Sequence, residues 1–150
     1  LTYACQNIGN FSFDKDTRNI SRRYRDFIAI LITSRIVKRF CQNEPPYTAS
    51  ELSQQYQIPL RLVNHTLFKL QEIKLIHEVS TDEKSEEIAY QPSMDVGQLS
   101  VGLLLNRLDS HGSEDFKIDT EQTYSHEWSV LMQARKAYFE QVNDVLLKEL

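Results

Sequence analysis

Residues Tyr47–Val79, YTASELSQQYQIPLRLVNHTLFKLQEIKLIHEV, decide the fold. Thr48 and Glu51 make a T-x-x-E capping box, in which hydroxyl and carboxylate each satisfy an orphan amide at a helix start. The helix that begins there ends near Tyr56. Gln57-Ile58 forms a turn, and the fixed φ of Pro59 suits the first turn of the next helix. That helix runs to about Ile73 and is expected to bury Leu60, Val63, Leu67 and Leu70. Leu75–Ser80 reads as a strand, Thr81–Glu87 (TDEKSEE) as a charged turn and Ile88–Gln91 as a returning strand, before Pro92 breaks the pattern.

Outward from this stretch, a long helix is expected over Thr17–Cys41. Ile20, Tyr24, Phe27, Ile28 and Leu31 recur on it at the helical period, and Glu44-Pro45-Pro46 ends it. A fourth helix is predicted from Asp95 as cap, through Leu99–Leu108, to a stop at Gly112; Gly97 and Gly102 there allow close packing. A final long helix is predicted over Thr123–Leu150, with Trp128, Leu131, Met132, Tyr138, Val142, Val145 and Leu146 as its apolar positions. Helix, helix, turn, helix, strand, wing, strand is the order of a winged helix-turn-helix. The fold class is therefore mainly α with a small β-hairpin, a winged helix-turn-helix with additional C-terminal helices. It divides into an N-terminal arm over residues 1–16, the winged-helix domain over 17–112, and a linker and long helix over 113–150.

The composition is that of a globular chain, with 41% hydrophobic and 25% charged residues and only four Gly and four Pro. Cys5 and Cys41 match no zinc or redox spacing, so a disulfide framework is not expected. No signal peptide and no membrane span is legible, although a chain beginning with Leu1 reads as a piece of something longer. The net charge of −4 is uneven: residues 1–75 hold 11 Lys/Arg against 6 Asp/Glu, and residues 76–150 hold 6 against 15. Either the two halves serve different partners, or they attract each other within one fold.

On a helix turning about 100° per residue, the outward side of the third helix carries Arg61, Asn64, His65 and Phe68, with Glu72 beyond and Lys69 at the margin. Arg61 and Asn64 suit guanine and adenine edges in a major groove. Phe68 and Glu72 do not: an exposed aromatic points to protein contact, and a carboxylate repels phosphate. The wing, with Asp82, Glu83, Glu86 and Glu87 against Lys84 alone, has the wrong sign for following a DNA backbone; its plain role is a solvated hairpin tip. The other basic cluster is Arg18, Arg22 and Arg25 on one face of the first helix, with Arg23 beside it. Its plain reading is a solvated face with an Arg22–Asp26 pair; its functional reading is contact with lipid headgroups or nucleic acid.

Catalytic chemistry is not expected. The four histidines have no metal-ligand spacing and no glycine loop cradles phosphate; Asp109 and His111 read as a cap and a surface residue, and Glu114-Asp115 as a charged loop. No catalytic residue, metal or cofactor is assigned.

Three stretches taken together, NISRRYRDFIAILITSRIVKRF (Asn19–Phe40), the one quoted first, and YQPSMDVGQLSVGLLLNRLDSHG (Tyr90–Gly112), resemble the C-terminal region of YihY/BrkB-type (ribonuclease BN-like) inner-membrane proteins in their Bacteroidetes form. The resemblance covers most of residues 7–112. It implies a membrane domain upstream and a cytoplasmic tail here, on the inner face of the bacterial inner membrane, with Arg18, Arg22, Arg23 and Arg25 near anionic headgroups. The ribonuclease label belongs to the family name; no residue of this chain carries it.

The leading expectation is thus a non-catalytic regulatory or interaction module of a membrane protein, possible transport being a property of the parent. Its contact face toward a protein partner would be Arg61, Asn64, His65, Phe68 and Lys69; the last helix would either pair with a second copy or pack back onto the first helix of the same chain. The alternative is a nucleic-acid-binding module, a DNA regulator or the tRNA-docking part of a processing ribonuclease.

Overall fold

In a computed structural model, residues 19–82 and 85–150 are described. The expected N-terminal arm, the first helix's start at Thr17, Cys5 and Arg18 lie outside the described residues, as do Glu83 and Lys84 of the wing and the side chains of Asp82 and Ser85. The elements are α1 (Arg22–Cys41), β1 (Tyr47–Thr48), α2 (Ala49–Tyr56), α3 (Leu60–Glu72), β2 (Ile76–Asp82), β3 (Ser85–Pro92), α4 (Val101–Ser110), α5 (Ser125–Glu140) and a 3-10 turn at Leu147–Glu149. This is a mainly helical winged helix-turn-helix with further helices after the wing.

Capping explains most boundaries. Ser21 accepts the Tyr24 amide at 3.3 Å and starts α1. Thr48 accepts the Glu51 amide at 3.2 Å and, within the same capping box, donates to Glu51 Oε1 at 3.2 Å. Gln57 closes α2 in the left-handed conformation, with φ 54°, and the Ile58 amide reaches back to the Ser53 carbonyl at 3.1 Å. Pro59 stands just before α3 as its N-cap.

Two expectations about strands change. The wing strands run further, to Asp82 and from Ser85, so the segment read as a seven-residue turn is mostly sheet. Tyr47–Thr48 adds a third strand, in the order β1-β3-β2, with Tyr47 opposite Tyr90 and Thr48 opposite Ala89. Two residues carry no periodicity, so β1 has no signature of its own.

The core lies between α1, the inner face of α3 and the C-terminal turn. Ile32, Val37, Leu52, Val63, Leu70, Leu99, Leu104 and Leu147 are fully buried; each large aliphatic among them contributes about 1.5–3 kcal/mol. The apolar stripe expected on α1 is rotated. Ile28, Ala29, Ile32, Ile36 and Val37 face inward, whereas Tyr24 and Phe27 are exposed. Leu60 also proves exposed, and Leu62 takes its place on the buried face of α3. Thr33 and Ser34 are tolerated inside because their hydroxyls donate to the Ala29 and Leu31 carbonyls at 2.7 Å.

The fourth helix starts later than expected, at Val101 with Ser100 as cap; Asp95 instead accepts the Gly97 amide in the turn before it. The last helix stops at Glu140 rather than running to Leu150. From there the chain folds back: Ser100 bridges to Leu146, the Leu147 amide donates to the Leu99 carbonyl at 3.0 Å, and the Val101 and Gly102 amides reach the Val145 and Val142 carbonyls. It is therefore the terminal turn, through Leu147, that packs onto α1. Gly102 permits this closure. A Cβ there would stand 2.8 Å from the Phe139 carbonyl oxygen and 2.9 Å from the Asn143 Cα.

Gly102→Ala is accordingly expected to lower stability by about 1–3 kcal/mol, the usual cost of forcing atoms into a packed contact. Urea unfolding checks this, and hydrogen exchange should show residues 139–147 released first.

Candidate nucleic-acid interface

Burial of Leu62, Val63, Thr66, Leu67 and Leu70 sets the rotation of α3. Arg61, Asn64, His65 and Phe68 are left exposed on the opposite side, Phe68 with 59% of its surface free, and Lys69 is half-buried at the edge. These are the outward positions read from the helical period. Arg107 of α4 donates to the Ile73 carbonyl at 3.0 Å and so pins the C-terminal end of this helix.

The structure also joins groups that are distant in sequence. Arg22 and Arg25 of α1 line one cleft with His65 and Lys69 of α3, bringing two basic clusters together. Arg23 is exposed on the same first turns. The Arg22–Asp26 ion pair expected from spacing is not formed within 4 Å among the described residues. Asp26 is instead held above the usual carboxylate range by burial, against the pull of Arg22.

Glu72, read as repelling phosphate, contacts His111 Nε2, and Asp109 pairs with Arg135 at 3.4 Å. Each partner comes from a different element, so spacing could not have revealed either pair. The wing keeps its acids: Glu78, Glu86 and Glu87 are exposed on the strands. Among the described residues no three His, Cys, Asp or Glu side chains cluster to hold a metal ion, and Cys41 is exposed at the end of α1.

No family model and no curated protein matches the chain, so the YihY/BrkB resemblance has no counterpart in those comparisons. Solved structures do match. CymR, the global cysteine regulator of B. subtilis, is similar over 87% of this chain and 93% of its own, with a TM-score of 0.57 at 14% identity. CymR of Staphylococcus aureus gives 0.57 at 14% identity over 83% of this chain and 93% of its own. IscR of T. potens gives 0.58 at 12% identity, covering 87% of this chain and 85% of its own. Such distant likeness establishes the fold, including the helices beyond the wing.

It also corrects the leading expectation. Over 83–87% of its length the chain shares the architecture of these solved regulators, and this overturns the expectation of an interaction tail of a membrane protein. None of the described helices is long and apolar enough to cross a membrane.

His65 reports on the assembled cluster. Burial, then Lys69 and Arg25, push its pKa below the ordinary histidine range. As pH falls through that range the unfolded chain takes up the proton first, so this residue costs no stability at neutral pH and subtracts from it below. An NMR titration should place the folded-state midpoint below that of the urea-unfolded chain, and Lys69→Gln should raise it.

Proposed function

We propose that this chain is a DNA-binding transcriptional regulator of the winged-helix Rrf2 type, the type of CymR and IscR, acting as a pair of copies. The observation that carries the reading is the meeting of the basic first turns of α1 with the outward face of α3.

In this reading α3 enters the major groove. Arg61 is suited to the O6 and N7 of guanine, Asn64 to the N6 and N7 of adenine, and Phe68 to a thymine methyl. Arg22, Arg23 and Arg25 meet backbone phosphates beside the groove. The acidic wing is the feature that most opposes DNA, since Glu86 and Glu87 repel phosphates near them. The grip therefore falls to α1, and the wing strands stand off from the duplex rather than track it.

The last helix supports pairing. Among its large side chains only Phe139 is buried, while Val130, Leu131, Met132 and Tyr138 are exposed, as are Phe116, Ile118 and Tyr124 before it. Apolar surface on that scale marks an interaction site. A two-fold pair would present two α3 helices to half-sites about one helical turn apart.

Fluorescence anisotropy with duplexes selected from a random pool is expected to show binding that weakens steeply with salt. Arg25→Ala should lower the log–log salt slope by about one, and Asn64→Ala should cost about 1–3 kcal/mol at one base position only. No selectable duplex, or binding indifferent to Arg25, defeats the reading. For the pairing, sedimentation is expected to show a dimer that Leu131→Asp converts to monomer.

A further inference from the structure

The cleft that joins α1 to α3 is larger than phosphate contact requires. Its cavity is about 440 Å³, within the range of small-molecule sites. Four elements wall it. Its cations, Arg22, Arg25, Lys69 and Arg135, outnumber its acids, Asp26 and Asp109. Arg135 is occupied with Asp109. Among the described residues, Arg22, Arg25 and Lys69 have no ion-pair partner within 4 Å, and Asp26 lies among them in the lining. The floor is apolar, with Leu70, Leu105 and Phe139 all buried.

Such a site is built for an anion on an apolar body. Arginine forks bind a carboxylate or phosphate with two parallel hydrogen bonds, and the aliphatic and aromatic floor takes the remainder. A cavity of this size holds more than a lone inorganic ion.

We infer that this cleft binds a small organic anion, and that its occupancy weakens DNA binding; the second part rests on the DNA-binding reading above. The coupling is direct. Arg22, Arg25 and Lys69 would meet either the ligand's acid group or backbone phosphates. A bound anion cancels the charge that draws the duplex. The cleft also touches α5, so an occupant bears at once on the reading helix and on the helix offered to a second copy.

Calorimetric titration of the full chain with benzoate, octanoate and phenyl phosphate tests the pocket, with benzyl alcohol and inorganic phosphate as comparators. At least one organic anion is expected to bind saturably, one per chain, at least about tenfold tighter than either comparator. Arg25→Gln should weaken it by about tenfold. Leu108→Trp, at the half-buried lip, should block it while leaving thermal unfolding little changed. Absence of saturable binding by all three anions overturns the site, as does equal affinity in both variants. DNA anisotropy is then repeated with the anion at saturation. Duplex affinity should fall at least about threefold, a loss absent in Leu108→Trp; unchanged affinity overturns the coupling. A chain that binds the anion and no duplex refutes the regulator reading and leaves the pocket standing.

Discussion

Burial of the inner face of α3 against α1 is the constraint from which the rest follows. Val63, Leu67 and Leu70 have essentially no solvent exposure. A helix with a face so fully committed has no rotational freedom left, because turning it would expose leucines and bury Asn64 or Arg61 at several kcal/mol. The outward display of Arg61, Asn64, His65 and Phe68 is thus a consequence of core packing. So is the meeting with Arg22 and Arg25, since the same contact that orders α3 brings the first turns of α1 alongside it.

Charge is unevenly divided over the molecule. The wing carries exposed glutamates, Arg22, Arg23 and Arg25 are exposed on the first turns of α1, and Lys38 and Arg39 lie in its last turn. The charge imbalance between the halves of the chain corresponds to this division. Contacts do cross between the halves, through Arg107 to the Ile73 carbonyl and His111 to Glu72, but in both the basic group comes from the acidic half, so neither contact expresses the imbalance.

The C-terminal segment completes the core instead of extending away from it. Leu147 is fully buried among residues of α1 and α4, and the approach at Gly102 leaves no room for a side chain. The C-terminal half of α5 is tied to the body through Phe139 and the Arg135–Asp109 pair, while Val130, Leu131 and Met132 remain exposed.

The helix-turn-helix, its caps and the hairpin were legible in the sequence, because each depends on contacts within a few residues: Thr48 with Glu51, Ser53 with Ile58, the period of α3. The outward positions of α3 were legible for the same reason. Less could be read wherever two periodic faces competed, as on α1, where Tyr24 and Phe27 match the stripe but Ile32, Ile36 and Val37 fill the core. The two-residue β1, the return of the chain at Glu140, the pairing of Glu72 with His111 and the cleft between α1 and α3 had no local signature. Those features are contacts between residues tens of positions apart, set by how the helices fit around one buried surface, and only the tertiary structure could decide them.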